Sequence, residues 1–263
     1  MSRPVIALLT DFGSRDHYAG TMKGVMLGIC PDATLVDLTH EIAPGDVMAG
    51  ALELDAAVRY FPPATIFLAV VDPGVGSARR AIAVESGGYR FVGPDNGLLS
   101  LVWRTSPVTA SVELSEPRYA RATVSRTFEG RDRFAPAAAW LATGVALSAL
   151  GHAAQDLVTL SLPAPTVDAA GVTGEVVRVD RFGNLVTNIA RPLVAGLMTQ
   201  GRLWVTMEGQ PIGRVVNTYA DVRPGSVCAL FSSTDHLEVS LSGGSAASSL
   251  GFSRGATARV TVC

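Results

Sequence analysis

The run Thr65-Ile66-Phe67-Leu68-Ala69-Val70-Val71 is apolar at every position after its first residue and ends on Asp72. A strand with one wet face alternates polar and apolar residues. A strand without alternation is covered on both faces, as in a parallel sheet flanked by helices. The chain must therefore supply helices for two faces. Tyr18, Met22, Val25, Met26 and Ile29 recur at helical spacing before Pro31-Asp32. Leu52, Leu54, Val58 and Phe61 follow Asp46, a suitable cap, and stop at Pro62-Pro63. Further strands are expected at Pro4–Thr10, Thr34–Leu38, Ala81–Glu85 and Tyr89–Val92, with a long helix over Phe134–Leu150. This alternation predicts an α/β N-terminal domain with a largely parallel sheet, spanning residues 1–162.

Beyond it the texture changes. "SLPAPTVDAAGVTG", Ser161–Gly174, is rich in Pro, Ala, Gly and Thr and reads as a linker. Short β-branched segments follow at Glu175–Val179, Arg202–Met207, Gly213–Val216, Val227–Phe231, Leu237–Leu241 and Ala258–Val262. Turn residues such as "RPGS" and "SGGS" separate them, which predicts a small all-β, barrel-like C-terminal domain over 163–263. Hydrophobic residues make up 48% and charged residues 17%, enough apolar material for cores and no case for disorder.

The net charge is −2 and no Lys/Arg-rich stretch occurs, which argues against a nucleic-acid partner. Val5–Leu9 is too short for a signal-peptide core, and no segment approaches eighteen consecutive apolar residues. A cytoplasmic protein without a membrane partner is expected. Cys30, Cys228 and Cys263 are widely spaced, as packed thiols in a reducing compartment would be. His17, His40, His152 and His236 lack ligand spacing, so no metal is expected.

Ligands of open α/β sheets bind beyond the carboxyl ends of the strands. Asp11 in "LTDFG" and Asp72 in "VVDPGVG" stand at two such ends, and "PGVGSARR" carries Arg79 and Arg80 back toward Asp72. An arginine beside a carboxylate keeps it ionised and fixes its direction. "GPDNGLL" sets Asp95 and Asn96 in a turn after a strand, and "TFEGRDRFAP" gathers Glu129, Arg131, Asp132 and Arg133. "VDRFGNLVTN" holds Asp180, Phe182, Asn184 and Asn188. Asn reads the edge of a heterocyclic base, an aromatic ring offers a stacking face, and a carboxylate meets an ammonium or sulfonium. Each cluster alone also fits a cap, a turn or a β-bend.

Five motifs in order, "LTDFG", "VVDPGVGS-R", "GPDNGLL", "TF-GRD-FAP" and "D-FGN--TN", resemble the S-adenosyl-L-methionine (SAM) hydrolases (adenosine-forming). These are the SAM hydroxide adenosyltransferases, relatives of the fluorinases and chlorinases. The resemblance spans essentially the whole chain, including "LEVSLSGGSAA". It implies an α/β domain followed by a β-barrel, and a homotrimer that binds SAM between one subunit's N-terminal domain and its neighbour's C-terminal domain. SAM or adenosine is then the partner, and SAM is substrate, with no cofactor. Asp11 matches the ribose contact, Asp180 a contact to the methionine end, and Ser233 a contact to the methionine carboxylate. Asn184, with backbone near Ser242–Ser245, falls on the adenine side; Phe182 and Asn96 are further candidate substrate contacts. The hydrolases orient water with an Asp–Arg–His set. Asp72 and Arg79 match its first two members, with Arg80 as the alternative arginine, and Glu129 stands where the pattern has histidine. The halogenases lack the Asp–Arg pair. The expected reaction is hydrolysis at ribose C5′, the alternatives being a non-catalytic SAM or adenosine binder and a halide-dependent C5′ transferase.

Overall fold

Strands β1 (Val5–Thr10), β2 (Thr34–Thr39), β3 (Ile66–Val70), β4 (Ala81–Ser86), β5 (Tyr89–Pro94) and β6 (Val108–Glu113) form one sheet in the order β2-β1-β3-β5-β4-β6. In this computed structural model, which describes residues 3–263, β2, β1, β3 and β5 pair in parallel. β4 runs antiparallel to β5 and β6. The sheet is largely parallel, as the unbroken apolar run requires. Ile6, Leu8, Ile66, Leu68 and Val70 enter one core, while Ala7, Leu9, Phe67, Ala69 and Val71 enter another, so both faces are packed.

Helix α1 (Tyr18–Ile29) sends Met22 and Met26 into the first core, and α2 (Val47–Val58) sends Leu54 and Val58 into the second. Asp46 caps α2, its Oδ1 accepting from the Ala49 amide at 3.0 Å. The helix expected over Phe134–Leu150 is shorter: α3 covers Ala135–Ala142. Gly144, at φ +95°, ends it, and a separate 3₁₀ turn forms at Leu147–Leu150. A π-helical turn, Gly130–Phe134, precedes α3. Pro136 has no N–H for the Asp132 carbonyl, which instead accepts from the Arg121 amide at 2.9 Å.

The contacts divide the chain after Leu160, and Ser161–Cys263 form a second unit. Its strands are β7 (Thr166–Asp168), β8 (Gly171–Val179), β9 (Leu185–Ala190), β10 (Leu203–Met207), β11 (Gln210–Arg214), β12 (Val227–Phe231), β13 (His236–Leu241) and β14 (Thr257–Val262). They pair antiparallel in the order β11-β10-β14-β8-β9-β13-β12, with β7 on β8. The Val216 amide donates to the Ala229 carbonyl at 2.9 Å, drawing the two end strands together into a nearly closed barrel. Val172, Leu185, Val205, Leu237, Val239 and Val260 fill it.

Two expectations change here. The segment read as a linker contains β7 and the start of β8, where Val172 is buried and pairs with Val260. Cross-strand pairing overrides its loop-like composition. The bend "VDRFGNLVTN" continues into a strand, β9. Among the described residues no helix is long and apolar enough to cross a membrane.

Candidate active site

β1 lies between β2 and β3, so the strand order reverses at β1 and the carboxyl ends of β1 and β3 flank the switch point. Thr10 pairs with Val70, which sets Asp11 and Asp72 just past neighbouring strand ends. Both line one cavity of about 310 Å³ together with Phe12, Tyr18, Phe128 and Glu129. Asp11 Oδ2 accepts from the Gly45 amide at 2.8 Å, which fixes the direction of its carboxylate.

The loop after Asp72 doubles back through Gly76, at φ +76°, where a Cβ would lie 2.6 Å from the Arg126 carbonyl oxygen. Only glycine fits this combination of conformation and contact. The return delivers Arg79 to Asp72: Nε stands 3.0 and 2.9 Å from the two carboxylate oxygens. Nη2 donates to Asp72 Oδ2 and to Glu129 Oε2. The side chains of Asp72, Arg79 and Glu129 are 5%, 11% and 13% exposed, so solvent screens this chain of charges little. Burial works against the Arg79 charge, but Asp72 and then Glu129 more than offset it and hold the guanidinium above its usual pKa. Arg79 also lies over the Phe134 ring, 5.3 Å from its centroid.

Arg80 is engaged elsewhere. Its Nε donates to Asp95 Oδ2 at 2.8 Å, and its other nitrogens donate to the Gln155 and Asp156 carbonyls at 2.7 and 2.9 Å. The choice left open by adjacent arginines falls to Arg79. Glu129 immediately precedes the π turn, and its Oε1 lies 3.6 Å from Arg133 Nε. Asp132 points into the protein and is held by Arg131 and the Ser125 amide.

Phe12, Tyr18 and Phe128 form an aromatic cluster at the cavity, with centroid separations of 5.0 to 6.0 Å. Helical periodicity marked Tyr18 as a packing residue; it is instead the first residue of α1, 40% exposed, and lines the cavity. Three carboxylates, one guanidinium and several rings make a site suited to a cationic ligand with hydroxyl groups. Among the described residues no group of His, Cys, Asp and Glu is arranged to hold a metal ion. His40 is spent inside the fold, bridging Thr10 Oγ1 at 2.8 Å and Asp37 Oδ1 at 2.9 Å.

In the second unit, Asp180 organises the β8–β9 turn. Its Oδ1 accepts from the Phe182 and Asn184 amides, and its Oδ2 from Asn184 Nδ2, each at 2.9 Å. Gly183, at φ +83°, sits where a Cβ would fall 2.0 Å from Ser245 Oγ, so the turn lies directly on that segment. Phe182 is left 76% exposed. With Asn184, Tyr219, Leu241, Ser242, Gly243 and Gly244 it lines a pocket of about 510 Å³. Tyr219 was not legible in advance, because a lone tyrosine in a polar turn carries no pattern. Its hydroxyl donates to the buried Glu238, and burial, then this carboxylate, raises its pKa.

Two candidate residues stand apart. Asn96 donates to the Val71 carbonyl at 2.9 Å and accepts from the Leu98 amide at 3.1 Å, bracing the turn after β5. Ser233 is in the β12–β13 turn, at the opposite end of β13 from Ser242 and roughly 17 Å along the hairpin from Asn184. The structure does not bring it to the Asn184 pocket.

The fold and the two sites, each taken by itself, define a class: an open α/β sheet with an acidic, aromatic cavity at its switch point, followed in one chain by an antiparallel barrel with an aromatic–amide pocket. Residues 6–151 match the family model for the SAM hydroxide adenosyltransferase N-terminal domain, and residues 174–259 match that for the C-terminal domain. The chain belongs to the SAM hydroxide adenosyltransferase family. It is 43% identical over 261 residues to the (R)-S-adenosyl-L-methionine hydrolase of Salinispora tropica, covering 98% of each chain. It is 32% identical over 235 residues to the fluorinase of an Actinoplanes species, covering 78% of this chain and 79% of that protein. The crystal structure of an uncharacterized conserved protein from Thermotoga maritima superposes with a TM-score of 0.92 at 34% identity, covering 97% and 99% of the two chains.

Proposed function

We propose that this chain hydrolyses S-adenosyl-L-methionine to adenosine and L-methionine. The observation that carries the reading is that Asp72, held by the buried Arg79, lines the same cavity as Asp11. Relatives named as SAM hydrolases, 38% and 43% identical over nearly the full chain, support it.

In this reaction a water oxygen forms a bond to ribose C5′ while the C5′–S bond breaks and its electron pair stays on sulfur. Methionine leaves as a neutral thioether, so the departing side needs no acid. The attacking water passes its proton along its hydrogen bond to the Asp72 carboxylate and from there to solvent, so that one proton is released for each SAM hydrolysed. The protein's share is orientation, which removes much of the entropic cost of aligning water with the C–S bond. Asp72, held by Arg79, takes a hydrogen bond from the water and aims its lone pair. Asp11, fixed by the Gly45 amide, accepts from the ribose hydroxyls and keeps C5′ in place. The carboxylates and rings favour the sulfonium over the neutral products.

The same charges speak against a halide nucleophile, since three carboxylates around the point of attack repel an anion. Substrate contacts from Asp180, Phe182 and Asn184, with Ser233 as a further candidate, come in this reading from a neighbouring copy in a homotrimer, while Asn96 is a remaining candidate on the same N-terminal unit as Asp11 and Asp72. No cofactor, nucleic acid or membrane takes part, and the free thiols Cys30, Cys228 and Cys263 suit the cytoplasm.

The test is a product assay: purified protein with SAM, with and without halide, separated by chromatography. Adenosine and methionine in equal amounts are expected. A 5′-halo-adenosine would move the chain to the transferases, and SAM retained intact would make it a binding protein.

A further inference from the structure

The motif "TF-GRD-FAP" leaves two positions open, and in this chain they hold Glu129 and Arg133. Glu129, which replaces the histidine of the pattern, and Arg133 meet across the π turn, with Glu129 Oε1 3.6 Å from Arg133 Nε. A neutral histidine at the first position would leave the Asp72–Arg79 pair balanced. Glu129 instead puts a second carboxylate on the same guanidinium, in a site where all three side chains are largely buried. One positive charge does not neutralise two negative ones, and burial makes the surplus costly. Asp132, the other acid of the segment, already has Arg131 and Arg121, so it makes no demand on Arg133.

The geometry points to Arg133 as a positioning residue: it holds Glu129 on Arg79, and the Glu129–Arg133 pair together fills the place of the histidine. This rests on the hydrolase reading and deepens it. Glu129 presses Arg79 toward Asp72 only while its other oxygen is held; released, it swings to solvent and Arg79 loses one of its two anchors. Arg133 is about a third exposed, so its effect is that of a partly screened ion pair.

A double-mutant cycle tests this. Arg133→Met is expected to lower kcat about fivefold with KM for SAM unchanged, and Arg133→Lys to recover most of the loss. In a Glu129→Gln background, Arg133→Met should change nothing further, because Arg133 acts only through Glu129. The second readout needs no turnover: hydrogen exchange at Arg79 Nε by ¹⁵N NMR, expected to quicken several-fold in Arg133→Met and not in the double variant. Equal effects of Arg133→Met in both backgrounds, or unchanged Arg79 exchange, would overturn the assignment. Should the unmodified protein release no adenosine, the hydrolase reading falls, and the exchange data alone decide the role of Arg133.

Discussion

Asp11 and Asp72 share a cavity and a place in the fold, yet their surroundings give them different work. Asp72 has both oxygens on Arg79, while Asp11 has one oxygen on a backbone amide and the other free for a ligand. Asp72→Ala is therefore expected to lower kcat by roughly 10²–10³-fold and leave SAM affinity within about twofold, the signature of a lost transition-state contact. Asp11→Ala should weaken binding about tenfold and lower kcat as well, since it removes a charged hydrogen bond to the bound sugar. Steady-state kinetics with calorimetry separates the two; unchanged adenosine release by Asp72→Ala sinks its assignment. Both aspartates were legible from position, because strand ends can be read from apolar runs. The choice between Arg79 and Arg80 was not, since adjacent residues differ only in which side of the backbone they leave. Tyr18 and Tyr219 were hidden for another reason: nothing local marks an aromatic that lines a cavity rather than a core.

The π turn before α3 aims Glu129 at the cavity and turns Asp132 inward. The Asp132 side chain has no exposure, and burial alone would raise its pKa. The hydrogen bond from Arg131, the Ser125 amide and the charges of Arg131 and Arg121 outweigh this and hold it below the usual carboxylate value. A depressed folded pKa adds stability that is present above the unfolded value, about 3.9, and is lost as pH falls through the folded pKa. Asp132→Asn should cost about 3 kcal/mol at pH 7, and the Tm gap to the parent should hold down to about pH 4 and narrow only below it, as pH falls toward the depressed folded pKa. A gap that does not narrow at all as pH falls below about 4 would mean the loss is one of packing. Such a turn escapes sequence reading because its cause is split: Pro136 withholds an amide, and Arg121, fifteen residues before it, supplies the substitute. The long-helix expectation failed similarly, since apolar spacing continued past Gly144 while the backbone did not.

For the whole molecule, the division into a sheet unit and a barrel unit was legible because their patterns differ, one with helical spacing between apolar runs and one with short β-branched segments. The false linker at Ser161–Gly174 shows the limit: composition cannot see the partner strand that orders it. If copies share sites as proposed, light scattering should give a mass about three times the chain's 27.4 kDa. Co-expressed Asp72→Ala and Asn184→Ala chains should then recover activity, roughly a quarter of the parent's by random assortment. No recovery in trimers that contain both chains would place each site within a single chain.

Arg79 turns to Asp72 and Glu129 of the cavity wall, and Arg80 is locked to Asp95 and two carbonyls, immediately before β4. The span from Asp72 to β4 is thus counted as well as shaped. An extra residue between Asp72 and Arg79 would shift the Arg79 guanidinium out of register with the carboxylate it holds. The length of that stretch is as constrained as Gly76 and the two arginines within it.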